Sequence, residues 1–155
     1  MPAIYMVENN QFGMGTAVKR ASAVEDFAVK AEAYGLSGYT VNGMDVIEVY
    51  EEVKRIGDIA RKEGSAALID VKTYRYKGHS MSDPAKYRTK DELEAYKQQD
   101  PIVQLRLKMR EAGVIDEDAF SKLDSEVKAE VEEAVEFAEK SEEPALHTMY
   151  EDILA

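Results

Sequence analysis

The spacing of apolar positions changes along the chain, and each change predicts an element. "AIYMVEN", Ala3 to Asn9, is a near-continuous apolar run, the pattern of a strand covered on both faces. "NNQFGMGT" follows, and its two asparagines and two glycines predict a tight loop. In "SAVEDFAVKAEAYGL", Val24, Phe27, Ala28, Ala31 and Tyr34 recur at helical spacing. Ser22 is the expected N-cap there, with Glu25 three residues on and Gly35 as the stop. "GYTVNG" predicts a short strand and a turn. Asp45 then caps a helix whose stripe is Val46, Val49, Tyr50, Val53, Ile56 and Ala60, ending at Gly64. "AALIDVKTY" is a further strand of the buried type.

Strand, helix, strand, helix, strand is the order of an α/β fold with a parallel sheet and covering helices. Such sheets place ligands at the carboxyl ends of their strands. Two polar loops, after Asn9 and after Tyr74, leave ends of that kind. Beyond Pro84 the pattern turns helical: "KDELEAYKQQ", "PIVQLRLKMREAG", a long run from Asp116 to Ser141, and a short "LHTMYEDIL". Pro101 suits a first helical turn and Gly113 a helix end. Leu123, Val127, Val131, Ala134, Val135 and Ala138 supply the long helix with an apolar face. The expected organisation is a partial α/β domain over 1–73, a loop over 74–89 and a C-terminal helical region over 90–155.

Composition narrows the function classes. The 155 residues suffice for one domain with a real core, and 45% hydrophobic with 33% charged residues is a globular balance. Apolar runs are only a few residues long, so neither a membrane span nor a secretory leader is expected, and cytoplasm is the default location. Cysteine is absent, which removes disulfides, thiolate metal sites and a cysteine nucleophile. A formal charge of -11 argues against nucleic acid as a partner. The charge is uneven. Residues 116–143 hold twelve acids and three bases, the pattern of a solvated helix face, whereas residues 74–88 hold four bases and one acid. That basic loop would draw an anionic ligand or an acidic partner.

Two stretches admit chemistry. "ENNQFGMG" reads either as plain turn sequence or as a hard-cation site. In the second reading an Asn side-chain oxygen and a nearby carbonyl fill two positions of an octahedral Mg2+ cage, and Gly13 and Gly15 let a diphosphate approach. "YRYKGHSMSDP" reads either as a connector or as an active-site lip. There His79 would serve as an acid-base group and Arg75, Lys77 and Arg88 would hold anions. His147, beside apolar residues in an expected helix, is assigned no role.

"ENNQFGMGT", "VNGMDV" and "KTYRYKGHSMSDPAKYRTKDE" together resemble the alpha subunits of the two-chain, thiamine-diphosphate-dependent 2-oxo acid dehydrogenases, and within them the pyruvate dehydrogenase branch. Asn42 stands where that family has Asp, Phe12 where many members have Tyr, and "GHSMSDP" favours pyruvate over branched-chain or acetoin relatives. The resemblance implies the C-terminal part of a thiamine-diphosphate-binding domain, with 74–89 as its active-site loop and a helical tail. It implies Mg2+ held by the Asn10 side chain and the Phe12 carbonyl, and thiamine diphosphate held by Asn10, Phe12, Gly13 and His79. His79 would be catalytic, aiding acyl transfer to lipoyl. Ser80 matches a regulatory phosphorylation position, while Ala17 and Lys86 stand near two such positions that are lost.

The implied partners are a beta subunit, the N-terminal part of the alpha subunit, and the lipoyl domain of dihydrolipoyl acetyltransferase. The family's Gly-Asp-Gly, with its Asp ligand, belongs well upstream of Asn9 and is expected on other chain. The chain alone is therefore expected to be inactive, to expose the edge and apolar faces of its first strand, and to leave roughly Lys77 to Arg88 mobile for want of apolar contacts. The alternatives are a branched-chain or acetoin dehydrogenase alpha subunit, or a non-catalytic module that binds the beta subunit.

Overall fold

The sheet is built around β5, Ala66–Lys72, which pairs in parallel with β1, Ala3–Asn9, on one side and β4, Ser37–Asn42, on the other. The computed structural model describes residues 1–153; Leu154 of the expected final helix, and Ala155 with it, lie outside the described residues. The chain divides into two compact units, Met1–Lys108 and a second from Met109 onward.

The alternation predicted for a parallel α/β sheet is present in the first unit. One face of the sheet is covered by α2, Val46–Glu63, and the core on that side is Val41, Ile56, Ala67, Ile69 and Val71, with Tyr39, Val49 and Val53 packed around it. Full burial of Ile56 and Ile69 contributes about 1.5–3 kcal/mol each. Asp45 caps α2 by accepting from the backbone N–H groups of Ile47 and Glu48, and Gly64 ends it in the left-handed conformation at φ 66°.

The element between β1 and β4 departs from expectation. It is a 3-10 helix, Phe27–Tyr34, capped by Asp26 rather than Ser22. Asp26 accepts from Ala28 N–H and from the Thr40 hydroxyl, and Phe27 N–H donates to the buried carboxylate of Asp70 at 2.7 Å. These tertiary anchors start the helix four residues later than the Ser22 signal. The Ser22 hydroxyl instead accepts from Val24 N–H, which leaves Val24 outside the helix. Gly38 lets this element lie on β4, because a Cβ there would collide with the Ala28 carbonyl. Gly35 ends it at φ 67°, as the sequence predicts.

β1 is less covered than its apolar run suggests. Tyr5 and Met6 are 55% and 45% exposed, and among the described residues β1 is an edge strand with no second neighbour. The two-sided pattern needs further layers that the described residues do not supply, and the expected apolar edge is what remains. After β1 come a short hairpin, β2 Phe12–Gly13 with β3 Thr16–Ala17, and a single turn, α1 Val18–Ala21.

The helices past the loop are α3 Lys90–Lys97, α4 Pro101–Glu111 and, in the second unit, α5 Glu117–Lys140. Pro101 opens α4, and Gly113 takes φ 68° just beyond its end. "LHTMY" forms a 3-10 turn. No described helix is long and apolar enough to cross a membrane.

Candidate functional site at the strand ends

The three strands finish flush. Lys72 is the register partner of both Asn9 and Asn42, so the loops after β1, β4 and β5 leave the sheet at one level. Backbone bonds lace them together: Thr73 N–H donates to the Asn9 carbonyl at 2.9 Å and Gly43 N–H to the Lys72 carbonyl at 2.8 Å. The sequence places both chemical stretches here, and the fold brings Phe12 of the first into ring contact with Tyr74 of the second.

The first loop is shaped by Asn9, which is buried to 3% exposure. Its side-chain oxygen accepts from Gln11 N–H at 3.2 Å, and its carbonyl accepts from the Gln11 side-chain amide. This turn holds Gln11 at φ 68°, a strained position for a residue with a side chain. Asn10 is turned toward the third strand end, where its side-chain oxygen accepts from the Thr73 hydroxyl at 3.1 Å. That oxygen keeps a second lone pair. Phe12 follows at the start of the hairpin.

The second loop is organised by Asp83. Its carboxylate accepts from His79 N–H at 2.8 Å, from Ala85 N–H at 2.8 Å and from the Tyr87 hydroxyl at 2.8 Å. The His79 and Ala85 N–H groups, then the Tyr87 hydroxyl, hold its pKa below the usual carboxylate value. The same bond raises the Tyr87 hydroxyl. Gly78 permits the loop to fold over itself, since a Cβ there would lie 2.6 Å from the Asp83 carbonyl oxygen.

Aromatic rings join the loops. Phe12 meets Tyr74 edge-on at 6.4 Å between ring centres and Tyr87 at 5.5 Å, while Tyr74 stacks on Tyr96 of α3 at 3.8 Å. Arg88 lies over the Phe12, Tyr74 and Tyr87 rings at 5.4–5.8 Å and donates to the carbonyls of Arg75 and Tyr76. The Tyr74 hydroxyl donates to Glu92 at 3.0 Å, and burial first, then that carboxylate, raises its pKa. The loop therefore has more apolar and cationic anchoring than its polar sequence suggests. Arg88, expected to hold an anion, is occupied within the protein.

His79 itself is exposed, 3.5 Å from the Arg75 guanidinium through Nδ1. Among the described residues no hydrogen bond or ring contact joins it directly to Asn10 or Phe12. The connection runs from the Phe12 ring to Tyr87, from Tyr87 to Asp83, and from Asp83 to the His79 backbone. Ser80 is exposed and shares a hydrogen bond with Ser82 at 3.1 Å. Sequence reasoning missed Thr73, Asp83 and Tyr87. The signal for Asp83 was present, because Asp ahead of Pro in a Ser-rich turn is a known acceptor of backbone N–H groups; Thr73 and Tyr87 act only across the fold.

Two observations bear on a bound diphosphate and cation. The side-chain N–H2 of Asn9 is buried without an acceptor, and its orientation is fixed because the amide oxygen is used by Gln11. A Cβ at Gly13 would meet no atom within 4 Å, so there is room beside the hairpin. An Asn side-chain oxygen is a ligand type that a hard cation accepts, but the described residues hold no group of three or more His, Cys, Asp and Glu placed to bind a metal ion.

The model of the family described as "Dehydrogenase E1 component" matches residues 1–147. A pyruvate dehydrogenase E1 component subunit alpha of Rickettsia bellii is 42% identical over 153 residues, 99% of this chain and 47% of that protein. Proteins of the same name from Rhizobium meliloti and Porphyra purpurea are 41% and 39% identical, covering 99% and 93% of this chain and 44% and 42% of theirs. The chain thus spans a little under half the length of these curated relatives. Matched along nearly all of its sequence, it belongs to the dehydrogenase E1 component family.

Proposed function

We propose that this chain forms the C-terminal part of a pyruvate dehydrogenase alpha subunit, acting with a beta subunit and the N-terminal part of the alpha subunit. The assembly would decarboxylate pyruvate and pass the acetyl group to a lipoyl domain. The observation that carries this reading is the pairing of Asn10 with Thr73 at flush strand ends, next to a buried Asn9 donor that lacks an acceptor.

Thiamine diphosphate, when bound, supplies the carbanion chemistry of decarboxylation. The protein's part is placement and proton handling. The Asn10 side chain and the Phe12 carbonyl offer oxygens to Mg2+, with Thr73 holding the Asn10 amide in place. Gly13 leaves room for the diphosphate. His79, set on a loop fixed by Asp83, is suited to proton handling during transfer to lipoyl. Arg75 and Lys77 keep the mouth of the site positive for anionic substrate. Ser80 beside His79 is a position where a phosphate would add a repelling anion.

The test is co-assembly with a beta subunit and an alpha segment carrying Gly-Asp-Gly, followed by titration of Mg2+ and thiamine diphosphate and assay against several 2-oxo acids. Asn10→Ala should remove cofactor binding. His79→Ala should slow acetyl transfer by about 100-fold or more while cofactor affinity stays close to wild type, and Ser80→Glu should impair the same step. Preference for a branched-chain 2-oxo acid or acetoin would replace pyruvate in this reading. An Asn10→Ala assembly that binds cofactor normally would end it.

A further inference from the structure

α5 carries an apolar stripe that the described residues leave open. Leu123, Val127, Val131 and Val135 recur at four-residue spacing and are 49–57% exposed, with Ala134 and Ala138 on the same side of the 3.6-residue repeat. Glu126 and Glu130 border one edge of this stripe together with Lys122, and Asp124, Glu132 and Glu139 border the other together with Lys128.

The helix has nine acids and three lysines between Glu117 and Lys140. All three lysines are already engaged by acids one turn away: Lys122 with Glu126, Lys128 with Asp124, and Lys140 with Glu136. Glu130, Glu132 and Glu139 flank the stripe with no basic partner among the described residues. The surface is therefore apolar along its centre and net negative along both borders, where the one lysine of each border is already paired with an acid.

A second copy would bring the same excess of acid against itself, and an anionic membrane would be repelled for the same reason. We propose that α5 is a docking surface for an amphipathic helix of another polypeptide, one whose apolar ridge is bordered by lysine and arginine. Ridge against stripe would bury the valines and Leu123, while the bordering cations would reach Glu130 on one side and Glu132 and Glu139 on the other. The inference stands apart from the proposed chemistry, since none of these residues belongs to the strand-end site.

The full chain can be titrated with three fluorescent peptides of one α5 length. One has a Leu/Val stripe bordered by Lys and Arg, one has the same stripe bordered by Glu, and one has the basic composition scrambled so that no stripe forms. The first should bind at least about tenfold more tightly than either of the others, a difference of about 1.4 kcal/mol. Val127→Gln with Val131→Gln should remove that advantage without loss of helicity by circular dichroism, since Gln favours helix more than Val. Glu130→Gln with Glu132→Gln should weaken binding and its salt dependence while leaving the stripe intact. The proposal is overturned if the scrambled peptide binds as well, if the Glu-bordered peptide does, or if light scattering finds a dimer that the Val→Gln pair splits.

Discussion

The Thr73 hydroxyl donates to the side-chain oxygen of Asn10 across 63 residues of sequence, at 3.1 Å. This bond ties the end of the central strand to the residue proposed to face the cation. It fixes the amide so that its oxygen, and not its nitrogen, sits at the strand ends. Thr73→Val keeps the shape and removes the donor. The expected result is a loss of about 0.5–1.5 kcal/mol in chemical denaturation. A larger loss of Mg2+-dependent cofactor affinity is expected in the assembled enzyme, and equal affinity would show that the bond orients nothing.

Asp83 gives the loop a pH dependence of known sign. Its carboxyl titrates lower in the folded loop than in an unfolded chain, because His79 N–H, Ala85 N–H and the Tyr87 hydroxyl favour the ionised form. A depressed pKa contributes order that is complete above the ordinary value near 4 and fades as pH falls through the folded value. The amide resonances of His79 and Ala85 should therefore shift together on acidification below about pH 4. Asp83→Asn should show the acid-like spectrum at neutral pH.

Proteolysis should discriminate between the cations of the loop. Lys77 and Lys86 are exposed, whereas Arg88 is held by three rings and two carbonyls. Limited trypsin digestion should cut after Lys77 or Lys86 well before Arg88. Tyr87→Ala, which removes one ring and the Asp83 bond, should bring the Arg88 cut forward.

These loop anchors mark the boundary of what could be read from the sequence. The parallel α/β order, the Asp45 cap, the Gly35 and Gly64 stops and the helical region after Pro84 all rest on short-range chemistry, and short-range chemistry is what spacing records. The Ser22 cap failed because Asp70, forty-three residues from Phe27, fixes where that 3-10 helix starts. The union of Phe12, Tyr74 and Tyr87 was hidden for the same reason. At the candidate site, Asn10 and His79 are legible by residue type and Phe12 only through the family resemblance, but what orients Asn10 and His79, Thr73 and Asp83, depends on register and turn geometry.

β1 should control how the free chain behaves in solution. Tyr5, Met6, Val7, Tyr34, Leu36 and Leu68 line an open apolar hollow beside an unpaired strand edge. Such an edge is a template for association. The chain should oligomerise at micromolar concentration by light scattering. Tyr5→Lys with Met6→Lys should reduce this without shifting the thermal midpoint greatly; a monodisperse wild-type chain would count against the edge as the cause.

Lys72 as the shared register partner of Asn9 and Asn42 makes β5 the ruler of the whole strand-end region. One residue lost or gained within β5 would reverse which side chains face α2, carry Asp70 off its 3-10 helix, and displace the Asn10 and Gly43 loops from Thr73 at the same time. An insertion in the loop after Thr73 would lengthen one connection only. Indels at the two places, a few residues apart in the chain, should thus differ in kind: the first removes the site together with the fold, and the second retunes the site on a sheet that still assembles.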